Sequence, residues 1–255
     1  MSWTRPAALR AQVQKLWERG DLLASIVTGE PLFPRRLTLR GPNSQEMTER
    51  FAEVRAWIGE LRAMPHCRVE LREFRHRLFG TNAVPQEVWI DSLDDALAIV
   101  GKRREASRFG SLLEATRARQ PELLAWLAKR PLRALELAEE WRRLLDIVTW
   151  LQCHPRPGVY LRQVDIPGVH SKFIEAQRGV LGELLDLALP PAAIDPSAAG
   201  VSQFARRYGF RDKPQRIRFR ILDRRHALLA GDPEQDLTLD ARSFARIDPQ
   251  VERVF

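Results

Sequence analysis

The 255-residue chain carries 41 Lys and Arg against 33 Asp and Glu, a formal charge of +8 with a sequence pI of about 10.2. Its length allows a buried core and one or two domains, and its two cysteines exclude a disulfide framework and suit a reducing compartment. No apolar run approaches the ~18 residues of a membrane span, and the N-terminus, with Trp3, Arg5 and Arg10, lacks the apolar stretch of a signal peptide. A cytoplasmic protein without a membrane partner is expected. The excess of cations has two readings: arginine-painted solvated helix faces, or a polyanionic partner such as nucleic acid, which rewards clustered cations through counterion release.

In chain order, Leu9, Val13, Leu16 and Trp17 mark one face of a first helix, interrupted at Gly20 and Asp21. A second piece ends near Val27, before Gly29, Pro31 and Pro34. Leu37 and Leu39 alternate with Thr38 and Arg40 as a short strand. Asn43 and Glu46 have the spacing of a capping box. Behind them Met47, Phe51, Val54, Ile58 and Leu61 give one continuous amphipathic helix, a seam for the core or for a partner helix. Two strands follow, one through Val69 and Leu71 and one through Val88, Trp89 and Ile90, pairing into a small sheet. Ser92 with Asp95 opens a helix through Val100. The stretch after it carries Lys102, Arg103, Arg104, Arg108, Arg117 and Arg119 around Phe109, Leu112 and Leu113. It reads as a DNA-contacting surface or as a solvated face paired with Glu105 and Glu114.

Pro121 suits the first turn of another helix. Pro131 resets the chain into one long amphipathic helix with Leu135, Ala138, Trp141, Leu145, Val148 and Trp150 or Leu151 on its buried side. Pro155, Pro157 and Gly158 end it. A short extended run (Val159, Tyr160, Leu161), a turn at Pro167-Gly168 and a helix from an N-cap at Ser171 through Leu187 complete a helix, wing-like turn and basic helix, the order of winged-helix DNA-binding units. The cationic side chains Arg162, Lys172 and Arg178 are scattered through and around this segment. Ser202 to Tyr208 read as helical. Further on, Ile217, Phe219 and Ile221 alternate with Arg216, Arg218 and Arg220. Cations on successive outward positions lie about 7 Å apart, near the phosphate spacing of one strand, though arginines also protect sheet edges.

Little catalytic chemistry is legible. The five histidines lack metal-site spacing, Gly101-Lys102 lacks the rest of a phosphate-binding loop, and Asp91, Asp94 and Asp95 are a magnesium candidate at what is also a helix start. Tyr160 beside Arg162 is a nucleophile candidate or a packing residue.

Three segments, RVELREFRHRLFGTNAVPQEVWIDSLDDALAIVGKRREASRF, RPLRALELAEEWRRLLDIVTWL and YLRQVDIPGVHSKFIEAQRGVLGELLDL, resemble the N-terminal part of the JetD family, the nuclease subunits of Wadjet plasmid-defence systems. RQVDIPGVHSKFIE is the most specific of these. The residues matching the family motif that the resemblance offers as DNA contacts are Arg162, Gln163, Lys172 and Arg178, Gln163 being equally a structural cap or turn residue. The resemblance implies a layout like the topoisomerase VI A subunit: an N-terminal arm, a winged-helix CAP-like domain, and a Toprim domain whose acids hold magnesium for DNA cleavage. It implies a homodimer acting with an SMC-like, condensin-type complex on closed circular plasmid DNA. The expected fold is α+β and predominantly helical, with a helical arm and small sheet over 1–125, a CAP-like domain over 126–250, and the first residues of the Toprim domain at 251–255. On that reading this sequence binds duplex DNA without cutting it and needs no cofactor, the magnesium belonging to the missing Toprim domain. A protein-interaction module docking to the SMC-like complex, and a winged-helix transcriptional repressor, are the alternatives.

Overall fold

The apolar spacing of the first 28 residues produces two helices, α1 (Pro6–Glu18) and α2 (Asp21–Thr28). Pro6 sits in the first turn of α1, where its missing N–H costs nothing. Leu9, Val13, Leu16 and Trp17 are all buried, on the face their spacing marks. This computed structural model describes residues 3–76, 80–211, 216–220 and 236–240, without side-chain placement for 74–82 and for the last two segments. The expected strand near Leu37 and Leu39 is β1 (Arg35–Leu37), two residues earlier than the alternation suggests.

The capping box at Asn43 forms in both directions: Asn43 Oδ1 accepts from the Glu46 N–H at 2.8 Å, and Glu46 Oε2 accepts from the Asn43 N–H at 2.9 Å. The single helix expected behind it is two, α3 (Ser44–Glu49) and α4 (Phe51–Arg62), parted at Arg50, whose φ of −123° and ψ of 36° leave the helical region. No Gly or Pro marks that break. Val54, Trp57 and Leu61 are the buried positions of α4.

Strands β2 (Arg68–His76) and β3 (Gly80–Ile90) pair antiparallel, and β1 adds to the other side of β3, giving the order β1-β3-β2. β1 meets β3 only at 88–90, and β2 follows β3 outward with a register shift between Glu70 and Leu71. Ser92 caps α5 (Leu93–Val100), its hydroxyl accepting from the Asp95 N–H at 3.1 Å. The cation-rich stretch is α6 (Arg103–Arg119), which buries Ala106, Phe109, Leu112, Leu113 and Thr116.

A 3₁₀ turn at Pro121–Leu123 leads to α7 (Leu124–Lys129) and α8 (Pro131–Glu136). The long helix expected after Pro131 is interrupted at 137–140 and resumes as α9 (Trp141–Cys153). The helix expected from Ser171 to Leu187 is likewise two, α10 (Ser171–Ala176) and α11 (Arg178–Ala188), parted at Gln177. His170 holds the N-cap position, so Ser171 is the first helical residue rather than the cap. The Ser202–Tyr208 segment is a 3₁₀ turn followed by α12 (Phe204–Arg207), and β4 (Arg216–Arg220) pairs antiparallel with β5 (Asp236–Asp240).

The architecture is α+β and predominantly helical, with a three-stranded antiparallel sheet. One buried cluster runs from Trp3 to Phe210, and α2 packs against both α7 and α8, so the core continues through residue 125, which itself lies inside α7. Buried aromatics close the middle of it. Trp126 and Trp141 stack at 5.6 Å, and the Trp141 indole donates to Thr116 Oγ1 at 2.8 Å, satisfying the polar end of a buried ring. No helix among the described residues is long and apolar enough to cross a membrane. The Val251–Phe255 run, Ile221 and the tip of the β2–β3 hairpin lie outside the described residues.

Candidate nucleic-acid interface

The segment between α9 and α10 is built by turns rather than by a wing of paired strands. Ile166-Pro167-Gly168-Val169 closes a tight turn, with the Val169 N–H donating to the Ile166 carbonyl at 3.0 Å and Gly168 at φ +75°. Proline before a positive-φ glycine is the chemistry of a type II turn. Ile166 and Val169 are buried and anchor it. Upstream, a 3₁₀ turn at Leu161–Gln163 presents Arg162 outward.

The chain then returns to this segment from α12. The Gly158 N–H donates to the Gly209 carbonyl and the Arg211 N–H to the Val159 carbonyl, both at 2.9 Å, and Tyr160 and Arg211 form a parallel bridge. Gly209 permits the crossing: a Cβ there would lie 2.4 Å from the Arg156 Cα, and its φ of +75° suits glycine. The crossing gathers the backbones of Arg156, Arg162 and Arg211 around Tyr160. All three arginines are exposed, and none forms an ion pair with a described residue. The Arg162 guanidinium lies over the Tyr160 ring at 5.3 Å, so this half-buried tyrosine serves as a platform for a cation. Lys172 is exposed on α10, which packs against the 161–163 turn, and it too lacks an ion pair with a described residue.

The other two candidates of this stretch are placed differently. Gln163, though exposed, folds back on its own loop, its Oε1 accepting from the Tyr160 N–H at 3.0 Å. Arg178 is half-buried, 3.6 Å from Glu175, with its Nε enclosed and without a hydrogen-bond partner among the described residues. Its charge is turned toward a carboxylate of its own chain.

The cations before and within α6 are largely neutralised. Lys102 pairs with Glu105 at 2.6 Å and lies over Trp17, and that hydrogen bond holds the Glu105 carboxyl below its ordinary value. Arg103 pairs with Asp94 through both of its oxygens, which raises the guanidinium further above its usual range. Arg104 is exposed without such a partner among the described residues. Arg108 and Arg119 bridge to Glu139 and Asp146, each at 2.6 Å, at the rim of a cleft of about 710 Å³ between α6 and α9 floored by Leu112, Trp141 and Leu145. Those carboxylates make the cleft a poor match for a polyanion. Of Arg216, Arg218 and Arg220 only the backbone register is described: Arg216 faces Asp240, Arg218 faces Thr238 and Arg220 faces Asp236.

The aspartates of the magnesium candidate are dispersed. Asp91 is held by Arg68, Asp94 by Arg103, and Asp95 by the Ser92 hydroxyl at 2.6 Å and His66 at 3.1 Å. Among the described residues no group of three His, Cys, Asp or Glu side chains could hold a metal ion. Asp91, Asp94 and Asp95 therefore do not form the magnesium site for which they were the sequence's candidates.

Sequence reasoning missed Arg156 and Arg211. The paired prolines around Arg156 were its available signal, since a residue at φ +51° between Pro155 and Pro157 sits on a fixed bend. Arg211 is recruited by chain crossing alone, which no local pattern encodes.

The family described as an uncharacterized protein conserved in bacteria, N-terminal part (DUF3322), matches residues 6–186. No curated protein matches the chain.

Proposed function

We propose a role for this chain on the premise that it belongs to the bacterial DUF3322 family, which matches most of its length: it is the duplex-DNA-engaging, non-catalytic portion of a JetD-like nuclease of the Wadjet plasmid-defence type. Cleavage, and the magnesium it uses, would reside in a Toprim domain beyond these residues, and an SMC-like complex would supply the DNA. The observation that carries the DNA reading is the set Arg156, Arg162, Lys172 and Arg211, none of them ion-paired to a described residue, gathered at one chain crossing and the helix beside it. Four cations without a described carboxylate partner, on a chain whose other described arginines mostly find one, are available to phosphate oxygens. The α9–turn–α10/α11 order, followed by the β4–β5 hairpin, supports a winged-helix-like placement on a duplex.

The test is duplex binding measured across salt. Removing one phosphate-binding cation lowers the slope of log K against log salt by about 0.9. Arg162→Ala with Lys172→Ala is expected to flatten the slope by about 2, whereas Arg178→Ala, already turned to Glu175, leaves it nearly unchanged. Binding that ignores salt and the first pair of substitutions sinks the proposal.

A further inference from the structure

Phe204, Phe210, Trp150 and His154 form a row of rings that runs from the core to the surface. Phe204 and Phe210 are buried, Trp150 is half-buried and His154 is exposed. Successive rings are close to parallel, tilted by 14°, 5° and 20°, with centroids 6.2, 6.5 and 4.5 Å apart. The row ends at His154, on which no further ring stacks among the described residues.

The His154 ring is held in place. His154 is the C-cap residue of α9, and its Nδ1 lies 2.9 Å from the Trp150 carbonyl. A carbonyl only accepts, so Nδ1 carries a proton and donates. The same carbonyl already takes the His154 backbone N–H at 2.9 Å, so the helix end is closed without the ring. What the second bond adds is orientation: it fixes the imidazole flat against Trp150. Two residues on, Arg156 meets Gly209 at the crossing that also carries Arg211, and neither arginine is ion-paired to a described residue. From His154 to Arg156 the chain spans at most about 7 Å.

A row of rings open at one end, beside cations without carboxylates, suits a nucleobase and its phosphates. Stacking and phosphate contact are the two components of sites that hold unpaired nucleotides. A base inside a duplex cannot use such a platform, because its neighbours cover both of its faces. The Tyr160 ring is not equivalent, since Arg162 already lies over it.

We infer that His154 is a stacking platform for one unpaired base, a bulged or extruded nucleotide of otherwise paired DNA, whose flanking phosphates meet Arg156 and Arg211. The inference rests on the DNA reading of those arginines and adds a preference to it. DNA with one unpaired base binds about tenfold more tightly than the same DNA fully paired. Stacking releases no counterion, so the two DNAs share one salt slope.

Titrations of the full chain with three otherwise identical duplexes test it: one fully paired, one with a single bulged adenine, and one whose bulged nucleotide is abasic. The parent should favour the adenine bulge about tenfold at every salt concentration and bind the abasic bulge no better than the paired duplex. His154→Ala should bring the adenine-bulge and paired affinities together. His154→Phe, which keeps a ring without the Nδ1 bond, should retain most of the preference. A parent that binds all three alike, with the expected salt slope, overturns the inference and leaves the DNA reading standing; a parent that binds none removes both. An abasic bulge held as tightly as the adenine bulge would assign the preference to a flexible joint in the DNA and overturn the platform. So would a His154→Ala chain that keeps the preference, or a His154→Phe chain that loses it.

Discussion

Gln163 Oε1 accepts the Tyr160 backbone N–H at 3.0 Å, while the Gln163 N–H donates to the Tyr160 carbonyl at 2.8 Å. Two reciprocal bonds between the same residues lock the 161–163 turn and thereby fix where Arg162 is displayed. On the proposed DNA reading, Gln163 would serve a polyanion through Arg162, as a positioning residue, rather than by reaching a phosphate itself.

That assignment separates two variants that composition alone would treat alike. Gln163→Ala frees the turn and is expected to weaken duplex binding several-fold, the extra cost being the ordering of a loosened loop. Its salt slope should match the parent because no cation is removed, whereas Arg162→Ala should flatten the slope by about 1. Binding titrations at three or more salt concentrations distinguish them. Equal slopes in both variants would remove Arg162 from the interface.

Much of this arrangement was legible in the sequence, and the losses have physical causes. The capping box at Asn43/Glu46, the Ser92 cap and the helix start at Pro131 depend on side chains within a few residues of each other, so local pattern suffices. The breaks at Arg50, 137–140 and Gln177 carry no Gly or Pro, and apolar periodicity alone reads through them. The ion pairs Arg103–Asp94 and Arg119–Asp146 span 9 and 27 residues, so a run of cations reads the same whether or not carboxylates come to meet it. The cluster around Tyr160 has the same difficulty in reverse: Arg211 arrives from about 50 residues away through a strand-like crossing at Gly209.

The cap at the start of α3 makes stability depend on acid. The Glu46 carboxylate accepts the Asn43 N–H and the Trp3 indole N–H, the latter at 3.1 Å, and these bonds hold its pKa below the ordinary glutamate value, the Asn43 bond having the larger effect. A carboxyl whose folded pKa is depressed contributes stability that is present above its unfolded pKa, near 4.3, and is lost as pH falls through the folded value. Urea melts of the parent between pH 6 and pH 3 should therefore show a loss of stability below about pH 4 that Glu46→Gln reduces. Asn43→Ala, which removes the reciprocal acceptor, should cost about 1 kcal/mol at neutral pH. A Glu46→Gln chain with the parent's acid profile would show that the cap does not carry this dependence.

At the other end of the pH scale, a buried phenol ties the end of α12 to α11. The Tyr208 hydroxyl lies between the Gly182 carbonyl at 2.9 Å and Asp186 Oδ1 at 2.7 Å, and Arg207 chelates both oxygens of the same carboxylate. Burial, reinforced by the hydrogen bond to Asp186, pushes the phenol well above its ordinary value. A group whose folded pKa is raised contributes stability fully present below its unfolded pKa, near 10, and lost as pH rises beyond it. The parent should lose stability above about pH 10, and Tyr208→Phe should flatten that limb while costing about 1 kcal/mol at pH 7 for the lost hydrogen bonds. Asp186→Asn keeps an acceptor for the hydroxyl but removes the charge that Arg207 holds, so it should destabilise at pH 7 and leave an alkaline limb in place. Paired denaturation curves at pH 7 and pH 10.5 separate the two, and an alkaline limb unchanged in Tyr208→Phe would assign the loss to another group.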